Sequence, residues 1–131
     1  MNGLELIGTK TTVTNKTEMI FSDCFSANYD NYLFVVRGLW TGSGPACSTW
    51  LQLHDGSNPV TSGYTAQFME FNNTAKGAAR VSENGWFTGR FTNPIPTGQH
   101  LYVYGPALPQ PTAYRSVVAS ANNTASIRDD A

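Results

Sequence analysis

Residues 21–39 read Phe21-Ser-Asp-Cys-Phe-Ser-Ala-Asn-Tyr-Asp-Asn-Tyr-Leu-Phe-Val-Val-Arg-Gly-Leu39, a turn cluster joined directly to an alternating strand. At the two-residue period of a strand, one face carries Tyr32, Phe34, Val36 and Gly38, and the other carries Leu33, Val35, Arg37 and Leu39. The Ser, Asn and Asp side chains of residues 26–31 can bond their own backbone, which favours a chain reversal. We therefore predict a turn followed by a β-strand with both faces partly covered.

Further segments rich in Thr, Val, Ile and aromatic residues recur along the chain, with turn clusters between them. The clearest turn is Asp55-Gly-Ser-Asn-Pro59, and no segment has the period of a helix. The remaining predicted strands are 4–14, 17–21, 46–54, 62–71, 85–92, 99–104 and 113–120. Without helices to connect parallel strands, antiparallel pairing is expected. The sequence predicts an all-β fold, an antiparallel β-sandwich, jelly-roll-like, of about seven to nine short strands.

Length and charge exclude several classes of protein. The chain has 131 residues, 13% of them charged, and a formal net charge of −1. This length suits one domain, and the near-zero charge gives no electrostatic footprint for nucleic acid or an anionic membrane. No apolar run approaches the roughly 20 residues that span a bilayer, and no signal peptide is visible.

The candidate chemical groups do not form a catalytic or metal-binding motif. Cys24 and Cys47 stand far from His54 and His100, without the close ligand pairs of a zinc site. No Gly-x-Ser-x-Gly elbow is present. We predict no enzyme and no cofactor. We also favour free thiols in a reducing compartment, although Cys24 and Cys47 would pair if the fold brought them together.

Trp50 lies out of phase with its apolar neighbours. Cys47, Thr49, Leu51 and Leu53 alternate against Ser48, Trp50, Gln52 and His54, so a single-sided core cannot cover both sets. Trp50 therefore either belongs to the second apolar layer of a sandwich or faces a neighbouring subunit.

The N-terminal third of the chain carries a family resemblance. Gly3-Leu-Glu-Leu-Ile7, followed by Thr-rich segments and then by Phe25-Ser-Ala-Asn-Tyr-Asp-Asn-Tyr32 running into Leu33-Phe-Val-Val36, resembles small bacteriophage virion proteins. These proteins carry an F-S-x-x-Y-D-N-Y run before a hydrophobic strand, and they include capsid decoration (cement) proteins and tail-fibre-tip domains. The specific part of the resemblance covers residues 3–40.

The resemblance implies a capsid decoration protein that binds the major capsid protein on the outer surface of the head. Such proteins are made in the host cytoplasm, act in the virion and are usually homotrimers. The chain would then consist of an N-terminal arm at residues 1–12 and a single β-sandwich domain at 13–131. The arm is the first candidate for the contact with the capsid, and residues 124–131 are the second. The expected capsid or subunit contacts are Leu4, Leu6, Ile7 and Trp50.

The alternative reading is a receptor-binding, glycan-binding module of a phage tail fibre or spike. Exposed aromatic rings stack on sugars, and amide and carboxylate groups bond their hydroxyls. In that reading the contact residues are Asp30, Asn31, Trp40, Tyr64 and Trp86.

Overall fold

The chain forms antiparallel β-strands, in a computed structural model that describes residues 4–10, 18–39, 41, 43, 46–56, 58–71, 76–93, 95–120 and 125–130. These residues contain ten strands and no helix. The strands are β1 (Asn31–Gly38), β2 (Ala46–Leu51), β3 (His54–Asp55), β4 (Asn58–Pro59), β5 (Tyr64–Phe71), β6 (Lys76–Glu83), β7 (Trp86–Thr92), β8 (Thr97–Tyr104), β9 (Ala113–Ser120) and β10 (Ala125–Asp130). The all-β prediction is confirmed.

Two layers make up a sandwich-like fold. The larger layer is a six-stranded sheet in the order β1-β8-β9-β10-β5-β6, and the smaller one pairs β2 with β7. β7 lies mainly against β9, with further contacts to β5 and β8. A separate hairpin of β3 and β4 encloses the predicted turn, where Gly56 has a positive φ of 62°.

Alternating side chains of the large sheet build the core. Along β8, Thr97, Gln99, Leu101 and Val103 are buried while the residues between them face outward. On β1, Tyr32 is buried and Val35 on the opposite face is exposed, so the predicted alternation sets which face packs inward. The core cluster consists of Tyr32, Tyr64, Ala66, Trp86, Phe87, Leu101, Val103 and Tyr114.

Buried hydrogen bonds fasten the small layer to the large one. The Tyr114 hydroxyl donates to the Phe87 carbonyl at 2.9 Å. The Thr88 carbonyl accepts from Gln99 Nε2 at 2.8 Å and from Ser116 Oγ at 2.6 Å. Gln99 Nε2 also donates to Ser116 Oγ at 2.9 Å. Side chains of β8 and β9 thus satisfy consecutive backbone carbonyls of β7.

The two strands predicted nearest the N-terminus are wrong over the residues that the structure describes. Residues 4–10 and 18–21 are extended or irregular and belong to no sheet, whereas residues 11–17 lie outside the described part of the chain. The Thr, Val and Ile content favoured strands there, but β propensity acts only where a neighbouring strand offers packing and hydrogen bonds.

Two strands that the sequence did not indicate, β6 and β10, complete the large sheet. Lys76–Glu83 pairs with β5 along its whole length, although it is short of aromatic and β-branched residues. Ala125–Asp130 lies between β9 and β5, paired on both sides. Residues 125–130 therefore do not form a free arm, because that backbone is already paired on both sides, and their role as a second contact stays a prediction.

Gly89 supplies a test of the layer packing. Its φ is 153°, which L side chains rarely adopt, and a Cβ there would overlap the Val118 Cγ2 methyl. Gly89→Ala should destabilise the protein by about 2 kcal/mol or more, as expected for a strained, overpacked site. Urea unfolding measures the change.

Gly98→Ala is the matched control, because a Cβ at Gly98 meets nothing within 4 Å. It should leave stability unchanged or raise it by about 0.5 kcal/mol through the unfolded state. Equal effects of the two substitutions would contradict the packing of β7 against β9.

Candidate interaction surfaces

The N-terminal arm, defined here as residues 4–10, exposes large apolar side chains. Leu4 is 90% exposed, Leu6 is 78% exposed and Ile7 is 49% exposed. Met19 and Ile20, which come just before the turn, are also exposed. Several large apolar side chains exposed within one short segment favour an interaction site over ordinary surface exposure. The structure thus places the three predicted arm residues together on one exposed segment.

Polar contacts hold the arm to the rest of the chain. The Tyr29 hydroxyl donates to the Glu5 carboxylate, and Lys10 Nζ donates to the Ile20 carbonyl. The bond to Glu5 raises the pKa of Tyr29 above its ordinary value of 10.0, with smaller contributions from burial and from nearby acidic groups. The arm is therefore fixed by its polar groups while its leucines remain in solvent.

The turn before β1 positions Tyr29. Tyr32 stabilises this turn, because its hydroxyl donates to the Ser26 carbonyl at 2.9 Å and accepts from the Ser26 N–H at 2.7 Å. Phe25 packs edge-on against Tyr32, with ring centroids 4.8 Å apart. Tyr29 packs against the same ring at 6.2 Å. The residues of the F-S-x-x-Y-D-N-Y run thus have a structural role. Phe25, Ser26, Tyr29 and Tyr32 together stabilise the turn through hydrogen bonds and ring packing.

Trp50 lies near the end of β2, opposite Phe87 of β7. Its side chain is 47% exposed, whereas Leu51 and Leu53 pack against the core cluster. The register between β2 and β7 shifts between Thr49 and Trp50, which places Trp50 opposite Phe87. The two rings are tilted, with centroids 5.0 Å apart.

An open cleft of about 270 Å³ adjoins this tryptophan. We call it the Trp50 cleft, and its lining residues are Trp50, Gln52, Glu83, Asn84 and Gly85. Gln52 Nε2 donates to the Asn84 carbonyl at 2.8 Å, which joins the end of β2 to the turn between β6 and β7. Of these residues, the sequence indicated only Trp50. Gln52 could have been predicted as a neighbour of Trp50, because residues two apart in a strand lie on the same face.

The residues expected to bind glycans do not form one surface. Tyr64 and Trp86 are 4% and 6% exposed and pack edge-to-face at 5.2 Å, so neither ring is available for stacking. The Tyr64 hydroxyl accepts from the Leu53 N–H at 2.8 Å, and burial raises its pKa. Both were misassigned because sequence phase does not tell which aromatic residues the second layer covers. Asp30 and Asn31 are exposed at the start of β1, and Trp40 lies outside the described residues.

The described part of the chain contains no group of three His, Cys, Asp or Glu residues that could hold a metal ion. Cys24 and Cys47 are free and half-buried, and burial raises the pKa of the Cys24 thiol. No helix among the described residues is long and apolar enough to cross a membrane. Comparison with protein-family models, with curated proteins and with solved structures found no match for this chain.

Loss of the Tyr29 hydroxyl should loosen the arm. In Tyr29→Phe the Glu5 carboxylate loses its donor, and we expect trypsin to cleave after Lys10 about two- to fivefold faster, the scale of an exposed charge-assisted contact. Mass spectrometry of timed digests measures the rate. Tyr104→Phe, which alters a tyrosine on the outer face of the sheet, should leave cleavage unchanged. An unaltered rate in Tyr29→Phe would show that this bond does not hold the arm.

The same contact predicts a pH dependence. Because the pKa of Tyr29 is raised by a bond that requires its proton, the contact is present below 10.0 and is lost as the pH rises through the raised pKa. The ¹³C resonance of the Glu5 carboxyl should therefore shift in alkaline solution in the wild-type protein. Persistence of that shift in Tyr29→Phe would rule out Tyr29 as its source.

Proposed function

We propose that this protein is a structural protein of a bacteriophage particle, a capsid decoration (cement) protein that binds the outer surface of the head and stabilises the shell. Its partners are the major capsid protein and further copies of itself, in a homotrimer. The resemblance of residues 3–40 to small virion proteins motivates the class. The observation that carries the proposal is the exposed apolar arm on a rigid β-sandwich.

The arm supplies a driving force for association. Complete burial of a leucine or isoleucine side chain contributes about 1.5 to 3 kcal/mol, so Leu4, Leu6 and Ile7 together offer roughly 5 to 9 kcal/mol per copy. Loss of translational and rotational freedom offsets much of this gain. In a trimer, three linked arms would recover affinity through their high effective concentration.

The sheet edges supply a second mode of contact. β1 and β6 are the terminal strands of the six-stranded sheet, so each has one neighbour within it. An extended segment of a partner adds readily to such an edge through backbone hydrogen bonds. This mode suits both contact with a shell subunit and association between copies.

A receptor-binding module is the second candidate, and the half-exposed Trp50 beside an open cleft favours it. This candidate does not depend on Tyr64 and Trp86, which are buried in the core.

Removal of the apolar groups of the arm tests the capsid role. The triple variant Leu4→Ser, Leu6→Ser and Ile7→Ser should lower affinity for expanded heads that lack decoration protein by at least about a hundredfold, because 2.8 kcal/mol of lost burial suffices for that change. Cosedimentation with heads of the phage that encodes this chain measures binding. Deleting residues 1–12 should give the same result.

Met69→Ser is the matched control, because Met69 is an exposed apolar residue on β5, which has a neighbouring strand on each side in the large sheet. Both sets of substitutions should change the free energy of unfolding by less than about 0.5 kcal/mol per site. Full occupancy of heads by the triple variant would contradict the role of the arm. Failure of the wild-type protein to bind heads would contradict the function itself.

A further inference from the structure

We propose that the Trp50 cleft binds a neutral saccharide, with a pyranose ring stacked on Trp50 and its hydroxyl groups bonded by Gln52, Asn84 and Glu83. This site differs from the arm; the inference rests on the receptor-binding candidate, whose ligand it names, and does not depend on the capsid role. The cleft brings together the indole of Trp50, which packs against Phe87, the amide of Gln52, which a hydrogen bond orients, and the carboxylate of Glu83.

The aromatic surface is built into the fold. Trp50 keeps about half of its surface in solvent, at 47%, although Phe87 opposite it on β7 is buried. The register shift after Thr49 places Trp50 opposite Phe87, and the 5.0 Å ring contact limits the motion of the indole. A half-exposed indole that packs against a buried ring offers a π-surface to the C–H face of a sugar at a low cost in conformational entropy.

The polar groups around the cleft match hydroxyl groups. One N–H of the Gln52 amide is used by the Asn84 carbonyl at 2.8 Å, which orients the side chain. A primary amide has a second N–H and an oxygen that accepts, so it can bond a ligand while it keeps this contact. Glu83 is exposed on the same cleft, and a carboxylate accepts strong bonds from adjacent hydroxyls.

The volume of the Trp50 cleft and the charge of its lining residues restrict the class of ligand that it can bind. A cleft of about 270 Å³, open to solvent, suits one ring of a longer glycan rather than an enclosed small molecule. Glu83 carries the charge among the lining residues, so the cleft disfavours uronic acids, sialic acids and phosphates. A stacked nucleobase is disfavoured for the same reason, because it comes with phosphates and the chain has a net charge of −1.

The experiment is a microbial glycan array probed with the full chain, followed by calorimetry with the oligosaccharide that binds best. We expect binding to neutral glycans over acidic ones. Trp50→Ala should weaken that binding by at least tenfold, Trp50→Phe by less, and Gln52→Ala by about threefold or more. Tyr104→Ala, which removes an exposed aromatic ring from the large sheet, is the matched control and should bind as the wild type does.

Urea unfolding of each variant separates loss of binding from loss of fold, and the exposed Gln52 provides a substitution outside the ring contact. Absence of any glycan signal from the folded wild-type protein would overturn the proposal, as would unchanged affinity in Trp50→Ala. If Trp50→Ala instead lowers self-association in sedimentation velocity without any glycan binding, Trp50 is a subunit contact and the saccharide site is wrong. Head cosedimentation of Gln52→Ala is expected to match the wild type, because Gln52 lies outside the expected capsid contacts, so the two proposals can fail separately.

Discussion

The structure depends on the way β7 is held against the large sheet. β2 is its partner on one side, while Gln99, Ser116 and Tyr114 reach from β8 and β9 to the carbonyls of Thr88 and Phe87. Buried backbone carbonyls need such partners, so these bonds fix β7 in position as well as satisfying it. The glycine at residue 89 permits the close approach to Val118.

That fixed strand organises the surfaces on either side of it. Trp86 and Phe87 lie on β7, so the same strand contributes to the core and supports the exposed indole of Trp50. The turn that precedes β7 supplies Asn84 and Gly85 to the cleft. Beside β1, a terminal strand of the large sheet, the turn that Tyr32 stabilises holds the arm through Tyr29. Rigid β structure thus presents two surfaces of different chemistry, one apolar and one mixed aromatic and polar.

The periodicity of the sequence predicted those features that depend on neighbouring residues along the chain, such as the alternation of side chains on a strand. The alternation in residues 31–38 predicted two distinct faces of β1, and the structure buries Tyr32 on one and exposes Val35 on the other. The phase of Trp50 against Leu51 left a second core layer and a subunit contact both open. Periodicity failed where pairing with a distant segment determines whether a strand forms. β6 and β10 are strands because neighbours pair with them, whereas residues 4–10 pair with none of the described strands. Tyr64 and Trp86 needed the position of β7 before their burial could be known.

The central place of β10 constrains the order in which the sheet can form. Residues 125–130 separate β9 from β5, so the β5–β6 hairpin cannot join β1, β8 and β9 through native pairing until that segment has left the ribosome. Until then, the facing edges of β9 and β5 would remain open to incorrect partners. Completion of the large sheet thus waits for the strand that comes last in chain order, a strand that its own sequence did not indicate.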